Sequence, residues 1–211
     1  MSVPEYQHLA RLGRPASPAG SANLPIVEED HASPEVAALY DHFRQHFGRP
    51  TVPGILKCFA TNPPLLRHMM GLSESLLFAD GHLTRRDKEM LATFISFQNQ
   101  CPYCADSHAC FLRMQGGSLG LIDALRYADL ASPAVTPADR ALLTFANKVN
   151  QDSQSIQRSD IEALTFTGWT DAQAAEAVHI VALFATFNRV ANAFGLPSQG
   201  LLALYEANSS R

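Results

Sequence analysis

The chain has 211 residues, 46% of them hydrophobic and 17% charged, and a formal net charge of −4. That length fits one large domain with a sizeable core, and the composition argues against disorder. The mild acidity, with no basic run, speaks against nucleic acid and anionic membrane as partners.

Met1 to Pro15 contains no apolar core of the kind a secretory signal needs. No stretch reaches about 18 uninterrupted apolar residues, so no membrane span is expected. The four cysteines, Cys58, Cys101, Cys104 and Cys110, are too few for a disulfide scaffold in a chain this long. They point to a reducing, cytoplasmic setting and a local redox or metal use. The low charged fraction points to surface buried against another subunit, hence a homo-oligomer.

In chain order, residues 1–30 are rich in Pro, Gly, Ser and Ala without periodicity and read as an extended arm, leaving 31–211 as the folded domain. Helix starts then punctuate the chain. Ser33-Pro34 and Asn62-Pro63 each put a capping residue before a proline at the first helical position. Thr84 with Asp87 is a variant capping box; Thr136-Pro137 opens another helix, and Thr170 with Gln173 a further one. Gly195 before Leu196-Pro197 is a helix stop. Strand signals are nearly absent. The expectation is an all-α bundle of about nine helices, roughly 34–47, 63–78, 84–99, 101–115, 119–129, 137–150, 159–166, 171–194 and 198–207. The segment 171–194 is apolar on nearly every side and reads as a buried core helix whose Asn188, Arg189 and Asn192 need partners. Thr84-x-x-Asp87 and Thr136-x-x-Asp139, each followed by an apolar run, form a faint internal echo.

The chemistry concentrates in Glu89-x11-Cys101-x2-Cys104-x3-His108. At about 100° per residue, Cys104 sits about 60° from Cys101 and His108 about 40° from Cys104, so all three share one helical face. Pro102 suits a first helical turn. The cysteines then lie near a helix N-terminus, where free amides and the dipole stabilise a thiolate. His108 is spaced to take the Cys104 proton. Glu89 lies early in the preceding helix on a face of small residues (Ala92, Thr93, Ser96), with room to reach His108. These parts suit a thiolate attacking a hydroperoxide to give a sulfenic acid, which a second thiol condenses to a disulfide. An external dithiol then reduces that disulfide by exchange.

Rival readings fit less well. Cys101, Cys104, His108 and Cys110 are zinc-ligand types, yet four ligands on one continuous helix cannot converge tetrahedrally. Cys110 and Cys58 read as small buried hydrophobes. Cys101-Pro-Tyr-Cys104 matches the glutaredoxin motif, but about a hundred residues precede it and the βαβ pattern is missing. Phe94, Phe97, Tyr103 and Phe111 could shape a pocket or belong to the core.

The motif, followed by Gly116-Gly117, resembles the AhpD-like alkylhydroperoxidases of the carboxymuconolactone decarboxylase superfamily. Leu183-Phe184-x3-Asn188-Arg189-Val190-Ala191-x-Ala193-Phe194-Gly195 resembles the tail of its peroxidase-related branch. The resemblance implies an AhpD-like helical fold assembled as trimers or hexamers, and a thiol-dependent peroxidase with no haem, metal or bound cofactor. By motif, Cys104 would form the sulfenic acid, Cys101 would be its disulfide partner and proton donor, and Glu89 with His108 the proton relay. The partners implied are a hydroperoxide and a dithiol reductant, either a protein or a small thiol. Tyr103 departs from the pattern: the better-studied branch has histidine immediately before the second cysteine. The alternatives are a carboxymuconolactone decarboxylase-like lyase and a redox-responsive dithiol protein without turnover.

Overall fold

The computed structural model describes residues 23–209, and these form ten α-helices with no strand among them. They are α1 (Pro34–Phe47), α2 (Gly54–Phe59), α3 (Pro63–Ser73), α4 (Arg85–Gln98), α5 (Pro102–Met114), α6 (Leu119–Tyr127), α7 (Pro137–Asp152), α8 (Arg158–Phe166), α9 (Asp171–Phe194) and α10 (Leu201–Ser209). Most of the expected arm, 1–30, lies outside the described residues.

Local chemistry sets the boundaries. The side chains of Ser33, Asn62, Thr84, Thr136 and Thr170 each accept a first-turn amide, supplying partners that a helix start lacks. Thr84 with Asp87 and Thr170 with Gln173 close full capping boxes. Gly195, with φ 73°, ends α9 in the left-handed conformation. The internal echo becomes a physical link. Arg86 pairs with Asp87 at 3.2 Å and grips Asp139, the matching residue of α7, through two hydrogen bonds of 3.0 and 2.9 Å.

Three expectations about the number and limits of the helices need correction. A tenth helix, α2, is present; its six residues, Gly-Ile-Leu-Lys-Cys-Phe, are too short to show a period. The span 63–78 is not one α-helix: after Ser73 it widens into a π-helical segment, Glu74–Phe78. The last helix opens at Leu201 rather than 198.

The core is built around α4, in which every residue from Asp87 to Ser96 is buried. It packs against α5, α6, α7, α9 and the π-helical segment. Helix α9 is long and apolar enough to cross a membrane by length and composition alone; here it packs against α2, α4, α5 and α7. Contrary to the all-round burial expected, α9 keeps one exposed stripe that includes His179, Thr186 and Arg189.

Two buried charges tie α4 to its surroundings. Lys88 is 0% exposed. Its ammonium pairs with Glu176 Oε1 at 2.7 Å and donates to the carbonyls of Leu76 and Ala79, each at 2.9 Å. All three ammonium protons thereby have acceptors, which a buried charge requires. The chain passes Glu176 so closely at Gly81 that a Cβ there would collide with the carboxylate.

Candidate active site

The α4–α5 junction positions the cysteines. Gln100, a non-glycine residue at φ 51°, follows the end of α4 in the left-handed conformation. The Gln100 amide donates to the Phe97 carbonyl at 3.0 Å and the Cys101 amide to the Ser96 carbonyl at 2.9 Å, a Schellman closure. Cys101 is then the cap residue of α5, one position outside the helix, and Pro102 is its first residue. Cys104 and His108 follow on the same helix, one turn apart.

Glu89, 0% exposed, reaches across from α4 as expected: its Oε2 lies 2.6 Å from His108 Nδ1. Its Oε1 accepts from Arg85 at 2.6 Å. Arg85 also donates to the Leu77 carbonyl, and its guanidinium lies 5.0 Å from the centre of the Phe78 ring. The carboxylate sits between the Arg85 guanidinium and the His108 ring, with one oxygen on each. With Nδ1 committed to Glu89, His108 keeps Nε2 for other work. Phe111 and Phe184 meet its ring edge to face, at centroid distances of 5.3 and 4.7 Å.

The two cysteines are reduced and buried, Cys101 1% and Cys104 4% exposed. Their sulfurs share a hydrogen bond. They are not equivalent. The Cys101 thiol is held below its ordinary range by the Cys104 thiol, the amides of Cys104 and Tyr103 and the Asn188 side chain, against the opposing effect of burial. The Cys104 thiol is pushed well up, first by the anion it supports on Cys101 and then by burial. The thiolate-stabilising effect expected of the helix start therefore falls on the cap cysteine. Its partner keeps the proton.

Asn188 completes the pair from α9. It is buried, and its side chain reaches both sulfurs. Its amide donates to Ser96 Oγ at 3.0 Å, and its Oδ1 accepts from Asn99 at 3.0 Å. The polar partners that α9 needed are thus in the site for Asn188. Arg189 turns back to the Ala185 carbonyl at 2.7 Å, and Asn192 donates to the Asn99 carbonyl at 3.2 Å.

Cys104 and His108 line a cavity of about 100 Å³ enclosed mainly by Phe43, Phe47, Leu77, Phe78, Phe111 and Phe187. Of the aromatic residues near the motif, Phe111 and Tyr103 line this cavity, whereas Phe94 is core. Tyr103 Oη accepts from the Ile55 amide at 3.3 Å. It thereby anchors the start of α2 to the cavity wall, and burial holds its phenol protonated.

Arg85 and the sulfur contacts of Asn188 were not assigned from the sequence. Arg85 stands four residues before Glu89, a spacing that on an exposed helix marks only a surface pair. Cys58 and Cys110 are buried, as read, and both thiols are pushed up to about 12 by burial. Among the described residues, no group of three or more His, Cys, Asp or Glu side chains is arranged to hold a metal ion.

The all-helical bundle is AhpD-like in fold, and it carries this cysteine pair at a helix start beside a buried Glu–His pair. The model of the carboxymuconolactone decarboxylase family matches residues 63–124, from α3 into α6. The chain is similar to the AhpD core of an uncharacterized peroxidase-related protein from Ralstonia eutropha JMP134, at 28% identity over 90% of this chain and 98% of that one, with a TM-score of 0.78. It is similar to an uncharacterized peroxidase-related protein from Silicibacter sp. TM1040, at 25% identity over 86% and 93% of the two chains, with a TM-score of 0.74. The debrominase Bmp8, in complex with 2,3,4-tribromopyrrole, shares the fold at 17% identity over 89% and 98%, with a TM-score of 0.68. No curated protein matches the chain. The family-model match and these structural neighbours support a place for the chain among the AhpD-like carboxymuconolactone decarboxylase proteins.

Proposed function

We propose that the protein is a thiol-dependent peroxidase that reduces organic hydroperoxides through Cys104 and Cys101, with His108 and Glu89 as its proton relay. The observation that carries this reading is the 2.6 Å contact between Glu89 and His108, made at the wall of the cavity that Cys104 also lines.

His108 Nε2 takes the Cys104 proton while Glu89 stabilises the imidazolium. The Cys104 thiolate attacks the outer oxygen of the hydroperoxide. The O–O bond breaks, Cys104 becomes a sulfenic acid, and the departing alkoxide takes from His108 the proton that Cys104 gave it. The Cys101 thiolate attacks the sulfenic sulfur, forming the disulfide and expelling hydroxide, which takes a proton from solvent to leave as water. An external dithiol, protein-borne or small, returns two electrons by exchange. The peroxide is reduced by two electrons, the two thiols are oxidised by two, and no metal or bound cofactor is required. A cytoplasmic homo-oligomer is the setting proposed for this cycle.

The test is intact mass and free-thiol titration before and after one equivalent of cumene hydroperoxide. Loss of two thiols and of about two daltons, absent in Cys104→Ser, supports the reading. Inert thiols overturn it. Consumption of a carboxymuconolactone that survives Cys104→Ser would instead favour the lyase.

A further inference from the structure

The two sulfurs face different spaces. Cys104 lines the aromatic cavity of about 100 Å³, which Cys101 does not touch. Cys101 lines a second depression of about 430 Å³, which Cys104 does not touch and which shares no lining residue with the cavity. Gln100, Pro102, Arg126 and Ser198 stand on its rim and are exposed, while Ala105 and Ala109 keep its floor shallow in side-chain bulk.

Resting on the peroxidase reading above, we propose that the site is entered from two sides. The hydroperoxide reaches Cys104 through the aromatic cavity, and the reducing dithiol reaches Cys101 through the depression bounded by Gln100, Pro102, Arg126 and Ser198.

Disulfide exchange needs the attacking sulfur, the attacked sulfur and the leaving sulfur nearly in line. A thiolate attacking Cys101 must therefore come from the side away from Cys104, and the depression is the space that Cys101 lines and Cys104 does not. One attacking Cys104 would have to come through the aromatic cavity. The aromatic cavity, at about 100 Å³ and lined mainly by apolar side chains, is the narrower of the two spaces; the depression, at about 430 Å³, is the wider.

The exchange balances as follows. One thiolate of the reductant bonds to Cys101 Sγ, the Cys101–Cys104 bond breaks, and Cys104 leaves with both bonding electrons and takes, through His108, the proton given up by the reductant's second thiol. The second thiol of the reductant attacks its own partner sulfur in the mixed disulfide. Cys101 is released and the reductant leaves as its disulfide.

The test begins from the Cys101–Cys104 disulfide made with diamide, so that it does not depend on peroxide. Glutathione in excess, quenched with acid and mapped by mass spectrometry, is expected to form its mixed disulfide on Cys101. The same adduct on Cys104 would overturn the proposal. Ser198→Trp and, independently, Arg126→Trp fill the rim. Either should slow re-reduction by a reduced Cys-x-x-Cys peptide about tenfold or more, leaving the rate of oxidation by cumene hydroperoxide unchanged. Re-reduction at the wild-type rate in both folded variants would overturn it. Should cumene hydroperoxide leave the thiols untouched while diamide still forms the bond, the peroxidase reading falls, and the adduct map decides the route by itself.

Discussion

Nδ1 of His108 lies 2.6 Å from Oε2 of Glu89 although the residues are 19 positions apart and on different helices. Arg85 holds the other oxygen of the same carboxylate. The imidazole is thus fixed in orientation, with Nε2 left to accept a proton. His108→Ala should slow disulfide formation under cumene hydroperoxide by about 10²-fold or more, the usual weight of a general base. Glu89→Gln should do nearly as much with the histidine still present. Stopped-flow tryptophan fluorescence or timed mass spectrometry reads both, and a wild-type rate in folded His108→Ala would remove the relay.

The cysteine pair should hold a thiolate below the ordinary thiol range, on Cys101. Absorbance at 240 nm against pH should therefore show a first thiolate step at lower pH than a free cysteine. Asn188→Ala, which removes a donor to the sulfurs, should move that step upward. It should also cost about 1–3 kcal/mol of stability, because Ser96 and Asn99 lose a buried partner. An unmoved step in the folded variant would mean that Asn188 only packs.

Cys58 and Cys110 give a pH dependence of the opposite sign. Burial pushes both thiols from 9.0 to about 12, so the folded chain keeps them neutral where the unfolded chain ionises them. Their contribution to stability is complete below pH 9 and is lost as the pH rises toward 12. At pH 10.5 the loss is roughly 2 kcal/mol per thiol. Urea midpoints at pH 8 and 10.5 measure it, and Cys58→Ala should flatten the slope by about half.

Lys88 should be among the costliest positions to change. Lys88→Met leaves the Glu176 carboxylate without its cation and should destabilise the fold by about 3–5 kcal/mol. Adding Glu176→Gln should recover part of that loss. Urea unfolding of the two single variants and the double closes the cycle, and simple additivity would show the pair uncoupled.

The fold was legible because its punctuation is local. A capping residue and the residue three places on sit in one stretch of chain, and five such starts read correctly from sequence. The site was legible for the same reason, since Cys101, Cys104 and His108 share one helix and Glu89 stands on a face of small residues. What stayed hidden depends on the third dimension. Lys88 and Arg85 look like the solvated side of an amphipathic helix until the bundle closes over α4. The unequal cysteines could not be foreseen from spacing, because a residue at the cap and one in the first turn differ by a left-handed turn at Gln100, which carries no glycine signal. Helix α2 and the π-helical segment were missed because neither completes two turns, so no period repeats in them.

That π-helical segment makes the cavity a matter of counting residues. Glu74–Phe78 is wound more loosely than its flanks, as though one residue had been inserted into an ordinary helix. Removing one residue there would let α3 continue regularly and turn everything after it by about 100°. Leu77 and Phe78 would swing off the cavity wall, and the carbonyls that hold Lys88 and Arg85 would rotate away with them. Substitutions along this stretch change one side chain at a time; a deletion of the same length would take down the wall and the anchor of the relay together. Sequences that keep the pocket should therefore vary in residue type here far more readily than in length.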